Sequence, residues 1–245
     1  MISMRPSRVL RKMRAGQIAT SVALKFADAT ISEIVGQVGF DCIWIDTEHT
    51  GTTLREIENH VRAAKLFDTD LIVRVQRGSY SDLIHSLEMD ATGIMVPHLM
   101  SAAEARDIAR KTKFHPVGRR ALDGGNTDGA FCQIPVDAYI EQANSERFVI
   151  VQIEDPEPLA ELDEIAQVEG IDMLFFGPGD FSHGIGQRQQ GPRQAVYFIS
   201  KNKSRFETRS NRFVVNRLVR LLNGYYKKSF FFQTVYDLKR PPFLP

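Results

Sequence analysis

The 245-residue sequence predicts an α/β protein, a (β/α)8 barrel of the TIM type, on three observations. Between residues 17 and 187, short apolar runs alternate with amphipathic segments, the pattern of repeated β–α units around a parallel sheet. Several of the runs are apolar almost throughout, as strands buried on both faces must be. The length also matches a single barrel of about 250 residues. A doubly wound open sheet shares this periodicity and remains the structural competitor. Its dinucleotide-binding version is disfavoured, because no Gly-x-Gly-x-x-Gly follows the first run and no P-loop is present.

In chain order, strands are expected at 17–24 (QIATSVAL), 41–46 (DCIWID), 70–75 (DLIVRV), 93–98 (GIMVPH), 147–154 (RFVIVQIE) and 172–177 (DMLFFG). Each is rich in β-branched or aromatic residues and ends near polar, Gly or Pro residues. Residues 54–67, 80–90, 101–113 and 157–170 place apolar side chains three and four apart, the spacing of helices with one buried face. Residues 117–124 read either as a weaker strand or as a long loop.

Hydrophobic residues make up 43% and charged residues 25%, which excludes disordered and fibrous classes. No run approaches the roughly 20 apolar residues of a membrane span, and the basic N-terminus has no apolar stretch of a signal peptide behind it. A cytoplasmic protein with no membrane partner is expected. Cys42 and Cys132 alone make neither a disulfide scaffold nor a zinc site, and both are expected to be reduced.

The net charge of +1 hides a division. Residues 1–187 hold 18 bases against 28 acids, whereas 188–245 hold 13 bases against two acids, Glu207 and Asp237. The β–α alternation stops at the same place, so the chain divides into a barrel at 1–187, incomplete or irregular beyond that point, and a basic tail at 188–245. A basic amphipathic tail can bind nucleic acid or a membrane surface. The coincident break in charge, composition and pattern favours a non-native continuation, such as one left by a frameshift, and nucleic acid is not the expected partner.

Reactive groups of β/α barrels sit at the C-terminal ends of strands. The runs here close on Asp46-Thr47-Glu48-His49, Arg74, Pro97-His98, Gln152-Ile153-Glu154 and Gly177-Pro178-Gly179-Asp180. Glu154 and Asp180 end successive strands, and carboxylate oxygens suit hard divalent cations. The plainer alternative is a surface ion pair for Glu154 and an N-cap for Asp180. Asp155 is a competitor for Glu154 that strand alternation turns to the other side. His49 is a candidate base if Asp46 fixes its tautomer, or else a solvated loop residue. Arg74 lies in an apolar strand, where a guanidinium needs an anionic partner. Gln152 shares the face of Glu154 and either binds a ligand or fills a barrel layer. His85, His98, His115 and His183 receive no role.

FDCIWIDTEHT, the Arg of VRV, GIMVPHLMSAAEARDIARKTKFHPVGRR and VIVQIEDPEPLAELDEIAQVEGIDMLFFGPGDFS, in this order and at these separations, resemble the HpcH/HpaI aldolase/citrate lyase family over about residues 15–187. Within that family they are similar to class II aldolases, which cleave 4-hydroxy-2-oxo acids to pyruvate and an aldehyde. The resemblance implies a barrel of the pyruvate/phosphoenolpyruvate aldolase kind and a divalent cation (Mg, Mn or Co) on Glu154 and Asp180. It makes His49 with Asp46 an acid–base pair acting through water, and sets Arg74 on the enolate oxygen. Gln152 then stands beside pyruvate and the backbone at Gly179 contacts the substrate carboxylate. Glu88 stands where relatives often carry Asp. Relatives continue with further β–α units and a terminal helix exchanged between subunits, so a homotrimer or homohexamer is implied. Two other readings stay open: an inactive barrel remnant, and a basic interaction protein that uses its tail.

Overall fold

The computed structural model describes residues 2–186 and the backbone of two later strands, Tyr197–Ser200 and Thr234–Tyr236. Residues 187–196, 201–233 and 237–245 lie outside the described residues, and the readings of the basic tail fall mostly on them.

All six expected strands form, each a little shorter than its apolar run: β1 Ser21–Leu24, β2 Cys42–Asp46, β3 Asp70–Arg74, β4 Gly93–Val96, β5 Phe148–Ile153 and β6 Met173–Phe176. They pair in sequence order and all in parallel. The intervening helices are α2 Thr30–Val38, α3 Leu54–Lys65, α4 Tyr80–Glu88, α5 Ala102–Thr112 and α6 Val136–Glu146, with α1 Arg8–Arg14 ahead of the first strand. The starts of α3 and α5 are fixed by side-chain caps: Thr53 and Glu56 form a capping box, and Ser101 accepts from the Glu104 amide. Residues 157–170 depart from the single expected helix. They form a 3-10 turn at Glu157–Glu161, with a proline in its first turn, and a short α7 at Leu162–Ile165. Residues 117–124 are loop, not strand.

The sheet is curled. β2 and β6 are four positions apart, about 19 Å on a flat sheet, yet the Trp44 and Phe175 rings meet edge to face at 5.6 Å between centroids. Alternation along the strands then separates two cores. Ile43, Ile45, Leu71, Val73, Ile94, Val149 and Val151 face the helices, while Cys42, Ile72, Met95, Phe148, Ile150, Met173 and Phe175 face inward. Val9 and Met13 of α1 join the inward cluster, so α1 plugs the end at which the strands start. The result is a parallel α/β fold with a six-strand half-barrel.

The sheet continues past the expected break. β7, Tyr197–Ser200, pairs antiparallel with β6, and β8, Thr234–Tyr236, pairs parallel with β7. The sequence reading placed residues 188–245 in a basic tail without β–α alternation, but the strand at Tyr197–Ser200 meets the hydrogen-bonding demand of β6's otherwise open edge. No pairing joins β8 to β1 among the described residues, so closure into an eight-stranded barrel is not seen there. No described helix is long and apolar enough to cross a membrane, and both cysteines are free thiols.

Ion pairs hold the plug. Asp70, at the start of β3, accepts from Ser7 Oγ (2.6 Å), from the Arg8 and Val9 amides (3.1 and 2.8 Å) and from Arg5 (2.7 Å). Arg8 and Lys12 meet Asp41 at 2.8 and 2.7 Å, and Arg5 and Arg11 meet Asp68 at 2.9 and 2.6 Å. Burial pushes the carboxyls of Asp41 and Asp68 up, but the Lys12 and Thr20 hydrogen bonds on Asp41, and the two arginines on Asp68, hold both below their ordinary value. A lowered folded-state value means that the unfolded chain binds protons first as pH falls. The stability contributed by these pairs is present above the ordinary carboxylate value of about 4 and lost as pH drops through the lower folded values. Urea denaturation followed from neutral pH into acid should show this loss, with a shallower slope in Asp41→Asn. A slope unaltered by that substitution would place the acid-sensitive groups elsewhere.

Candidate active site

At the other end of the strands the inward face turns polar. Asp46 and Arg74 are register partners on β2 and β3, and both are buried. Arg74 donates from Nε to Asp46 Oδ1 (3.0 Å) and from Nη2 to Oδ2 (2.6 Å), while its Nη1 lies 3.0 Å from Glu48 Oε2. The guanidinium stands over Trp44, 5.1 Å from the ring centroid. Burial opposes its charge, but the Asp46 hydrogen bonds and the charges of Asp46, Glu48 and Glu154 keep Arg74 above its ordinary value. Burial likewise pushes Asp46 up, and Arg74 with the His49 and Glu48 amides brings it below the usual carboxylate range. Arg74 therefore has the anionic partners that its position in an apolar strand demands.

Glu154 follows β5 and is 1% exposed. Its Oε1 accepts from the His98 amide (2.9 Å) and its Oε2 from Gln152 Nε2. Gln152 thus lies on the face of Glu154, as alternation requires, and its Oε1 is buried without a partner among the described residues. Burial raises the Glu154 carboxyl, the charges of Glu48 and Asp180 raise it further, and the His98 amide and ring offset this only in part. Gly177 closes the back of the pocket: a Cβ there would stand 2.5 Å from Glu154 Oε2 and 2.8 Å from Glu154 Cβ.

His98, left without a role by the sequence reading, is drawn into this mouth. It follows Pro97 in the left-handed region (φ 50°), a conformation rare for a non-glycine residue. Its Nδ1 lies 2.8 Å from Asp155 Oδ2 and its Nε2 3.6 Å from Glu48 Oε1. Burial lowers His98, but the Asp155 hydrogen bond and the charges of Glu154, Asp155 and Glu48 leave it raised. Asp155 corrects a second expectation. Alternation was to turn it away, but β5 ends at Ile153 and the chain bends toward Pro156, so its carboxylate reaches the mouth.

The expected pairing of His49 with Asp46 is not formed. Both Asp46 oxygens are taken by Arg74, and the His49 contact to Asp46 comes from its backbone amide at 3.4 Å. The exposed His49 ring instead has Nε2 3.6 Å from Glu48 Oε2. Asp180 and Gly179 lie in the first turn of α8, Pro178–Gly184, and both are exposed. The charge of Asp180 is felt at Glu154, but no hydrogen bond or ion pair joins the two. Glu88, on α4, is raised mainly by burial and lies in the electrostatic reach of Arg120, Asp128, His85 and Asp123, not of the mouth.

The donor set fits a divalent cation. Glu48, His98 and Glu154 offer ligand atoms all within 4.8 Å of one another. Glu154 adds the physical demand, because a buried carboxylate beside two other acids has too little positive charge opposite it.

Comparison with known proteins gives the family of the chain. The model of the HpcH/HpaI aldolase/citrate lyase family matches residues 22–235, which extends past the point where the motif likeness ends. The chain belongs to that family. It is 31% identical over 182 residues to the hydroxypyruvate/pyruvate aldolase of Pseudomonas aeruginosa, covering 74% of this chain and 68% of that protein. It is 30% identical over 175 residues to the 2-keto-3-deoxy-L-rhamnonate aldolase of Shigella sonnei, covering 71% and 65%. The crystal structure of an HpcH/HpaI aldolase from Desulfitobacterium hafniense superposes with a TM-score of 0.67 at 29% identity, covering 73% and 69%. The matched stretch thus spans about two thirds of the length of these relatives.

Gly177→Ala tests how closely the mouth is built. Its Cβ would drive into Glu154, and overpacking of this kind costs about 1–3 kcal/mol. Urea denaturation should show that loss. An unchanged midpoint would mean that Glu154 has room to swing aside.

Proposed function

We propose that the chain is a class II aldolase, a carbon–carbon lyase that uses a divalent cation to cleave a 4-hydroxy-2-oxo acid into pyruvate and an aldehyde. The scaffold on this reading is the TIM-type barrel of the pyruvate/phosphoenolpyruvate aldolase kind, with β1–β6 as its six-strand part. The observation that carries the reading is the buried, undercompensated Glu154 carboxylate facing Glu48, His98 and Arg74 at the C-terminal mouth. Family membership gives that mouth its class of chemistry.

Glu154 and Asp180 would hold the cation, with Mg, Mn and Co as candidates, and Glu48 offers a further carboxylate beside Glu154. When bound, it supplies Lewis-acid polarisation of the 2-keto oxygen. Gln152, whose Oε1 has no partner among the described residues, orients a water or the substrate, and the backbone at Gly179 meets the substrate carboxylate. His49, solvent-exposed at the rim, takes the proton of the 4-hydroxyl through a water. The C3–C4 electron pair moves into C2–C3, C4 leaves as the aldehyde carbonyl, and negative charge develops on the C2 oxygen. Arg74, already charged and fixed by Asp46, opposes that charge without having to reorganise. Protonation at C3 completes pyruvate. The same reading carries assembly of identical chains into a trimer or hexamer.

Two measurements test the reading. Chelation should abolish pyruvate release from 4-hydroxy-2-oxo acids, and Mg(II), Mn(II) or Co(II) should restore it, while borohydride with pyruvate should leave the protein unmodified. No lysine takes part in the hydrogen bonds or ion pairs described for the mouth, so a trapped Schiff base would sink the metal mechanism. Arg74→Lys keeps the charge but loses the planar fork. Its kcat should fall by about 10²–10³ with metal affinity nearly unchanged, whereas equal losses in both would assign Arg74 to the metal shell.

A further inference from the structure

The His98 imidazole sits among the carboxylates without serving any step of the proposed cleavage. We propose that His98 is a nitrogen ligand of the cation, held in place by Asp155, and that it biases the site toward Mn(II) or Co(II) over Mg(II).

Three features of the structure converge on this assignment, which rests on the metal reading of the mouth. The first is spacing. Ligand atoms in an octahedron with bonds of about 2.1 Å are roughly 3–4.2 Å apart; His98 Nε2 lies 3.6 Å from Glu48 Oε1 and His98 Nδ1 3.7 Å from Glu154 Oε1, in a cluster whose ligand atoms all fall within 4.8 Å of one another. The second is the tautomer. Asp155 Oδ2 stands 2.8 Å from Nδ1, so Nδ1–H donates to the carboxylate and the Nε2 lone pair faces Glu48. A carboxylate behind a ligating histidine fixes the ring and raises its basicity, the usual outer support of such a ligand.

The third is how the residue is held. His98 adopts a left-handed backbone at φ 50°, and its amide donates to Glu154 Oε1 at 2.9 Å. Ring and carboxylate are thereby tied into one unit, with the strained backbone fixed by the group it would share a cation with. An all-oxygen site suits Mg(II), but imidazole favours softer first-row ions, and affinity rises from Mn(II) to Co(II) along the divalent series. Specificity for the metal would then reside in a residue outside the Glu154 and Asp180 pair.

Pulsed electron paramagnetic resonance of Mn(II) added to the chelator-stripped full-length protein reads the ligand directly. Imidazole nitrogen coupling is expected in the native protein and is expected to vanish in His98→Gln, which retains comparable bulk. Calorimetric titration should show Co(II) affinity falling by about 10–100-fold in that variant, with a smaller fall for Mg(II), and an intermediate loss in Asp155→Asn. Mn(II) that binds to the native protein without nitrogen coupling overturns the assignment of His98 and leaves the metal reading intact. Absence of any Mn(II), Co(II) or Mg(II) binding by the folded native protein overturns both. His49→Gln, which removes the other imidazole beside Glu48, should leave the coupling in place, and its loss there overturns the assignment even if His98→Gln fails to fold.

Discussion

The structure turns on a carboxylate placed where water cannot reach it. Glu154 is almost fully buried at the end of a central strand, and burial of an anion without compensation is among the costlier arrangements a fold can hold. The neighbouring groups answer that demand incompletely. The His98 amide and the Gln152 amide each give a hydrogen bond, but Glu48 and Asp180 add negative charge, and the nearest guanidinium, Arg74, is already committed to Asp46. A site that satisfied its own charges would have little reason to bind a cation. This one retains a deficit, and the proposed metal chemistry arises from it.

The two ends of the half-barrel use the same residue types to opposite effect. At the end where the strands start, Asp41, Asp68 and Asp70 each meet bases from the N-terminal segment, so the acids are matched and α1 is fixed as a plug. At the mouth, acids outnumber the available bases. Between them lies an apolar layer that includes Ile72, Met95, Ile150 and Phe175, which separates a neutralised, structural end from an undercompensated, reactive one. The strand periodicity of two makes this division possible, since Ile72 and Arg74 share one face of β3, as Ile150 and Gln152 share one face of β5.

Strands were legible in the sequence because burial on both faces leaves a nearly continuous apolar run, and all six runs became parallel strands. Arg74 and Gln152 were legible for the same reason, as polar residues in apolar strands whose direction alternation fixes. The residues beyond the last paired position were not. Alternation ends at Ile153, so it misdirected Asp155, and nothing in the motif Pro97-His98 signals a left-handed residue that turns its ring toward the acids. Glu48 was visible as part of a strand-end cluster, but not as the acid that contacts Arg74, His49 and His98. His49 shows a different limit: proximity in sequence to Asp46 implies a dyad but does not show that Arg74, a register partner across the sheet, contacts both oxygens of that carboxylate.

The division between β1–β6 and the two later strands also bears on the chemistry. Apart from Gly177, which follows β6, every residue of the mouth whose contacts are described comes from β2, β3, β5 or the turns after β2, β4 and β5, so the Arg74–Glu154 arrangement is built within the parallel part of the sheet. The Asp180 carboxylate is different, because it is carried by α8 directly after β6, the strand whose outer edge β7 pairs in the antiparallel sense. A parallel partner would have to return through a crossover packed on the sheet, whereas an antiparallel one approaches from the opposite end. Asp180 is therefore carried just after the last parallel strand, whereas Glu154 follows a strand with parallel partners on both sides. The ligand pair inferred from the motifs thus divides into one member anchored by the core and one carried just after β6, and His98, anchored to Glu154 through its own backbone, stands with the first.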